Sequence, residues 1–221
     1  MKSTIIIWNQ IVILFLGLIL FTSCSEPIYV HRLNYNDLYI NCISQKQSNW
    51  CWAACSEMVM KHFDPSGNYA QCEQAVRALN PNQVSQTSIG SCCQAATGNL
   101  ECNHTNWPIF EMYNFKCSDT YTCSDYLSWE DMLNQIDSSK PLCLTYNWTC
   151  GGAHMIIMSG YQIVNNQLLV HLLDPYSEFA RINDPDYPYP NSSRYVLQSE
   201  NRSNSDHTLG RCYFDFEKIS N

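Results

Sequence analysis

The chain has 221 residues, of which 45% are apolar and 14% are charged, and this is enough for one hydrophobic core. The formal net charge is −8 and no basic face is visible, so we expect no nucleic-acid partner. Thirteen cysteines indicate an oxidising compartment with several disulfides, because a reducing cytosol rarely hosts so many without metal.

The N-terminus carries the pattern of a lipoprotein signal peptide. Lys2 precedes an apolar run that ends at Phe21-Thr22-Ser23, and Cys24 follows directly. Small residues before a cysteine resemble the lipobox of bacterial lipoproteins, in which the cysteine is acylated and becomes the new N-terminus. A plain membrane anchor and an ordinary secretory signal are the alternatives, since the run is nearly long enough to span a bilayer.

This pattern sets the expected organisation of the chain. We predict residues 1–23 as the signal peptide, 24–41 as a tether and 42–221 as one domain. Acyl groups on Cys24 would hold that domain at a membrane. The expected location is therefore a bacterial cell envelope, at the outer membrane or cell surface, or outside the cell.

Helical patterns dominate the first half of the domain. Helix-capping residue types at Ser48 and Asn49 precede an apolar run from Cys51, and Pro65 and Gly67 stop this helix. A later helix starts with a serine cap followed by acidic residues in the first turn. The pattern predicts helices over 51–63, 69–79 and 106–115, and a further helix from 128 onward.

Strand patterns follow Lys140-Pro141, where β-branched and aromatic residues replace the helical period. Asn165-Asn166-Gln167 is a predicted hairpin turn. Residues 175–208 are rich in Pro, Tyr, Asn and Ser and are predicted as a long surface segment. Strands are predicted over 142–148, 155–163, 168–173 and 210–216, with a short extended segment at 38–40. Helices first and strands later indicate an α+β domain.

Cys51 is the first candidate for chemistry. It lies in the first turn of the predicted helix, where unpaired backbone N–H groups and the positive end of the helix dipole stabilise a thiolate. The side-chain amide of Gln45 lies six residues upstream. The stretch thus combines a nucleophile with a candidate oxyanion donor.

His154 and Asp174 are the candidate base and orienting group. His154 opens a predicted strand, and the small residues Gly151-Gly152-Ala153 before it leave space around the imidazole. The predicted hairpin brings Asp174, just past the next strand, roughly opposite His154. Asp174 can therefore fix the tautomer of the base. A histidine satisfied within the core and an Asx turn before Pro175 are the alternatives.

Over residues 42–175 the chain resembles the papain-like cysteine peptidases, with a pattern nearest to the bacterial avirulence-effector and bacteriocin-processing branches. The motifs that carry the resemblance are Gln45, Trp50-Cys51-Trp52-Ala53, Gly152-Ala153-His154 and Leu173-Asp174-Pro175. It implies a papain-like fold, with the nucleophile in a helical N-terminal part and His and Asp in an antiparallel β part. It also implies Cys51 as nucleophile, His154 as general base and acid, and Asp174 as orienting residue. The implied oxyanion hole consists of Gln45 and the backbone N–H of Cys51.

Two positions depart from the pattern of plant papains. Ser48-Asn49-Trp50-Cys51-Trp52 stands where those enzymes have Cys-Gly-Ser-Cys-Trp, and Asp174 stands where they have Asn. Neither departure removes a catalytic role, but substrate preference cannot be carried over. We predict a peptidase that acts on a protein or peptide substrate, with neither a metal nor another cofactor. A transglutaminase-like acyltransferase and an inactive binding lipoprotein are the alternatives.

The remaining cysteines are predicted to be mostly structural. Without Cys24 and Cys51, eleven remain, so five disulfides and one free thiol are expected. Cys55 is predicted to join its helix to the Cys92-Cys93 loop. A zinc site at Cys92-Cys93, Cys102 and His104 is the less favoured alternative, because the usual two-residue spacer between cysteine ligands is absent.

Overall fold

A seven-stranded antiparallel sheet organises the protein in this computed structural model. The structure describes residues 33–79, 81, 92–93, 102–120, 127–177 and 192–220. The predicted signal peptide, the tether up to residue 32 and Cys24 lie outside the described residues. No helix in the described ranges is both long and apolar enough to span a bilayer.

The strands follow one another across the sheet in the order β2-β7-β3-β4-β5-β6, and β1 pairs separately with β4. Every pair is antiparallel. The strands are β1 (Tyr35–Asp37), β2 (Phe115–Asp119), β3 (Leu142–Trp148), β4 (Ala153–Val164), β5 (Gln167–Leu173), β6 (Ser193–Leu197) and β7 (His207–Lys218).

The helices lie on both faces of this sheet. One core packs α1 and α2 against one face, and a second core packs α3 against the other. The helices are α1 (Cys51–Phe63), α2 (Gln71–Leu79), α3 (Trp129–Asp137) and α4 (Gln198–Arg202), with a 3₁₀ turn at Phe110–Tyr113. The predicted α+β fold, with helices first and antiparallel strands later, is confirmed.

The β4–β5 hairpin determines where the candidate site forms. Asn165 and Asn166 adopt left-handed backbone angles, with φ of 51° and 60°, which asparagine tolerates better than most residues. The turn sets Leu173 opposite Ile157 in the strand register. The chain therefore leaves β5 at the same end of the sheet at which it enters β4.

Three local predictions are wrong. The segment 106–115 forms only the 3₁₀ turn, because Pro108 has no N–H to donate and Asn114 at φ 61° ends the turn. The strand β2 follows it unpredicted. Within the predicted surface segment 175–208 lie β6 and α4, and residues 178–191 of that segment lie outside the described residues. Near the N-terminus, the strand is Tyr35–Asp37 and not 38–40.

The cysteine prediction also needs correction. The described disulfides are Cys72–Cys93 and Cys92–Cys102, so the Cys92-Cys93 loop is joined to α2 and not to α1. Cys55 is a free thiol with 0% exposure, and it faces β4 at 3.3 Å from the carbonyl oxygen of Met155. Buried thiols of this kind pack as small apolar side chains. Further free thiols are Cys51, Cys117, Cys143 and Cys150. More than one thiol beyond Cys51 is therefore free.

Candidate active site

Cys51 is the first residue of α1, as the sequence predicts. Trp50 occupies the N-cap position, and no side chain caps the helix. The expected capping residues instead bind Asn103, which donates to the Ser48 hydroxyl at 2.9 Å and accepts from the Asn49 N–H at 3.0 Å. The helix start thus keeps its unpaired N–H groups at Cys51.

His154 and Asp174 lie side by side, as the hairpin predicts. The Nε2 atom of His154 is 2.8 Å from Oδ1 of Asp174. Asp174 is 0% exposed and His154 is 6% exposed. Because a carboxylate only accepts, neutral His154 carries its proton on Nε2, and Nδ1 remains available as a base.

Cys51 and His154 line the same cavities, and each shifts the pKa of the other. Burial opposes ionisation of Cys51, but the hydrogen bond and charge of His154, with the backbone N–H groups of Met155 and Trp52, lower the pKa of the thiol. Burial likewise disfavours the imidazolium, but Asp174 and Cys51 raise the pKa of His154 above its ordinary value. Both shifts favour a thiolate–imidazolium pair.

Asp174 has partners beyond His154. Its Oδ1 also accepts the backbone N–H of Tyr176 at 3.0 Å, and its Oδ2 accepts from Nη1 of Arg194 at 3.0 Å. Burial raises the pKa of this carboxyl, but His154 and Arg194 outweigh burial and lower it. Sequence reasoning missed Arg194 because it lies within residues 175–208, which were predicted as a surface segment.

Gln45 lies at the base of the turn that leads into α1. Its Nε2 donates to the carbonyl oxygens of Gln47 and Ser48, both at 2.8 Å. The side chain is 2% exposed and does not line the cavities beside Cys51. The structure therefore places Gln45 next to the nucleophile-bearing turn, without pointing its amide into the open site.

A cleft runs along both sides of the Cys51–His154 pair. It consists of two cavities of about 430 Å³ each, which share Asn49, Cys51, Thr105, Ala153 and His154. Gly151 and Gly152, in the turn between β3 and β4, have φ of 97° and 87°. A Cβ added to either glycine would have no neighbouring atom within 4 Å. The predicted open space before His154 is thus present.

Two aromatic rings lie next to the imidazole of His154. The Trp148 ring is stacked near it, with centroids 6.1 Å apart and planes 10° apart. The Tyr176 ring meets it edge-on at 5.8 Å. Both aromatic residues also line the cleft. Neither was predicted, although Trp148 ends a predicted strand and Tyr176 follows Asp174 by two residues.

Metal binding has no support in the described ranges. No group of three or more His, Cys, Asp or Glu side chains there could hold an ion. The three cysteines of the zinc alternative, Cys92, Cys93 and Cys102, are all in disulfides, and Nε2 of its His104 is 3.1 Å from the carbonyl oxygen of Ala75. What the arrangement offers is a polarised thiol, a paired base and a buried carboxylate, which is the set that acyl transfer needs.

The match to a protein-family model agrees with this chemistry. The sequence profile of the Peptidase_C39 like family matches residues 37–203, a range that contains Cys51, His154 and Asp174. No curated protein sequence matches the chain. Among solved structures, the chain is similar to one described as "Structural basis for the limited antibody cross reactivity between the mite allergens Blo t 1 and Der p 1". That likeness has a TM-score of 0.48 and 11% identity, over 86% of this chain and 73% of the other.

Proposed function

Because the chain belongs to the Peptidase_C39 like family and is a cysteine peptidase, we propose that it hydrolyses peptide bonds through Cys51, His154 and Asp174. One observation carries this proposal. Cys51 and His154 line one open cleft and interact with each other, and Nε2 of His154 is 2.8 Å from the buried carboxylate of Asp174. The substrate is a protein or peptide that lies across both cavities.

Acylation begins with the thiolate of Cys51, which attacks the carbonyl carbon of the scissile bond. The negative charge moves to the carbonyl oxygen, where the backbone N–H of Cys51 donates to it. When the tetrahedral intermediate collapses, the C–N bond breaks and His154 gives its proton to the leaving amine. The product of this step is a thioester on Cys51, and His154 is neutral.

Deacylation uses the same groups, but His154 now acts as a base and not as an acid. Neutral His154 removes a proton from water, and the resulting hydroxide attacks the thioester carbonyl. The intermediate expels the Cys51 thiolate and releases the new carboxyl terminus. Asp174 holds the imidazole in the tautomer that both steps require.

Product analysis tests this proposal directly. Cleavage of a denatured protein in water enriched in ¹⁸O should place one heavy oxygen in each new carboxyl terminus. Transfer to an added primary amine in place of water would instead support the transglutaminase-like alternative. Absence of both products would overturn the proposed function.

The pH dependence of kcat/KM should be bell-shaped. The acid limb follows Cys51, whose pKa lies below the ordinary thiol value of 9.0, because attack requires the thiolate. The alkaline limb follows His154, whose pKa lies above 6.5, because the leaving amine requires an acid. Activity is thus lost as pH falls through the first pKa and as pH rises through the second. A profile that simply rises with pH through 9 would contradict the ion pair.

Gln45 is proposed as the second oxyanion donor. Its amide nitrogen already lies under the turn before Cys51, and it would exchange one backbone acceptor for the oxyanion. Loss of one such donor costs about 10²–10³ in kcat, so Gln45→Ala should lower kcat in that range with KM little changed. Gln47→Ala, two residues away in the same turn, is the matched control. Equal kinetics for the two variants would remove Gln45 from the mechanism.

The protein is further proposed to be a bacterial lipoprotein anchored through Cys24. The lipobox-like pattern supports this, and the disulfides Cys72–Cys93 and Cys92–Cys102 suit an oxidising compartment. We expect Cys24→Ser to move the protein from the membrane fraction to the soluble fraction, and intact mass to lose the acyl groups. A wild-type mass without lipid would reject the anchor.

A further inference from the structure

We propose that Arg194 is a positioning residue of the active site, which neutralises Asp174 and fixes the carboxylate face that His154 uses. This inference rests on the proposed function, because it acts through the same three residues. Arg194 lies on β6, which enters the sheet next to β5, whose end carries Asp174. Arg194 therefore reaches the site from a part of the chain that supplies none of the three reacting groups.

The contact is a buried ion pair with defined geometry. Nη1 of Arg194 is 3.0 Å from Oδ2 of Asp174. The side chain of Arg194 is 11% exposed and that of Asp174 is 0% exposed. A pair this well shielded from solvent interacts far more strongly than a surface salt bridge.

Different hydrogen-bond donors bind the two carboxylate oxygens of Asp174. Oδ1 accepts from His154 at 2.8 Å and from the Tyr176 N–H at 3.0 Å, while Oδ2 accepts from Arg194. Donors on both oxygens stop the carboxylate from rotating about its terminal bond. Oδ1 is thereby kept in the plane that suits the imidazole N–H.

Arg194 also balances the charge of the site. The working form contains the Cys51 thiolate, the His154 imidazolium and the Asp174 carboxylate, so Arg194 brings the net charge of this buried group to zero. Among the described residues, the thiols of Cys42 and Cys55 also lie near Asp174, and His207 lies near Arg194. Burial raises the pKa of Cys55 well above its ordinary value and lowers the pKa of His207. A buried group with a net charge would be costly.

Kinetics of Arg194 variants test the role. Arg194→Met should lower kcat/KM by about 10²-fold, mainly in kcat, because a slightly misplaced base costs that much. Arg194→Lys keeps the charge but not the planar fork, and should recover part of the loss. Arg77→Met is the control. It breaks the Arg77–Glu73 ion pair on α2, a helix that does not line the cleft, and should leave the kinetics unchanged.

The alkaline limb of the pH profile separates positioning from simple destabilisation. Without Arg194 the full charge of Asp174 acts on His154, so the imidazolium is held more tightly. We expect the alkaline limb of kcat/KM in Arg194→Met to move to higher pH. A variant that is only less stable would have a lower kcat/KM at every pH, while both limbs of the profile stayed at their wild-type pH values. That result would overturn the inference.

A double-mutant cycle gives a second test, which does not depend on Arg194→Met alone. Asp174→Asn leaves Arg194 buried without a counter-charge, whereas Asp174→Asn with Arg194→Met removes both charges. The double variant should be at least about 10-fold more active than the product of the single losses predicts. Multiplicative losses would refute the coupling. If Arg194→Met is normal while Cys51→Ala is inactive, only this inference fails and the proposed function stands.

Discussion

Cys51→Ala is expected to lower kcat/KM by about 10⁶-fold, which for a peptide substrate means no measurable cleavage. The reason is that Cys51 is the nucleophile of the proposed mechanism, and it interacts with His154, a base that is itself paired with the Asp174 carboxylate. Hydrolysis of a fluorogenic peptide, followed over hours at the pH optimum, measures the loss.

Cys55→Ala is the matched control for that experiment. Both cysteines lie on α1 one helical turn apart, but Cys55 is fully buried and burial raises the pKa of its thiol. We expect Cys55→Ala to keep kcat/KM within a few fold, with a modest loss of thermal stability. If Cys51→Ala retained some cleavage and this cleavage were lost on also replacing Cys55, the assignment of Cys51 as the nucleophile would be wrong.

His154→Ala should cause a loss of similar size, again about 10⁶-fold, because members of a catalytic triad act as a unit. The variant removes the proton donor for the leaving amine and also the partner that lowers the pKa of Cys51. Two measurements separate these effects: peptide hydrolysis should disappear, and alkylation of Cys51 near neutral pH should slow.

His62→Ala provides the control for His154. His62 lies near the C-terminus of α1 and contacts the carbonyl oxygen of Ser139, away from the cleft. Its replacement should change neither hydrolysis nor alkylation. Wild-type alkylation kinetics in His154→Ala would show that the imidazole does not polarise the thiol.

The sequence carried enough information to place Cys51, His154 and Asp174 in the right elements. Helix capping types and an apolar run predicted α1, and a two-residue asparagine turn predicted the β4–β5 hairpin that brings the base and the carboxylate together. These are local signals, and the geometry follows from short-range rules. Their catalytic roles stay predictions until the variants are measured.

Residues that depend on long-range packing were not predictable in the same way. Arg194 follows a Pro- and Tyr-rich segment, and only its strand pairing with β5 brings it to Asp174. Cys55 was assigned to a disulfide because cysteine spacing does not say which face of a helix meets which loop. The actual partner of Cys93 is Cys72, on the neighbouring helix.

Gln45 shows the limit of motif spacing. Its six-residue offset from Cys51 predicts an oxyanion donor by resemblance, yet its amide donates to the carbonyl oxygens of Gln47 and Ser48. Sequence spacing places a side chain near a turn, but the direction of its donors depends on local hydrogen bonds. The kinetic comparison with Gln47→Ala decides whether this amide reaches the substrate.

The pH dependence of Cys51 alkylation tests the central claim most directly. Iodoacetamide modification of the full chain, followed by peptide mapping, gives a separate rate for Cys51 and for the exposed Cys150 in the same molecule. We predict that Cys51 reacts faster than Cys150 at neutral pH, with a midpoint clearly below 9.0, and that His154→Ala removes this advantage. A Cys51 rate that rises only around pH 9, or that does not change in His154→Ala, would contradict the proposed catalytic pair.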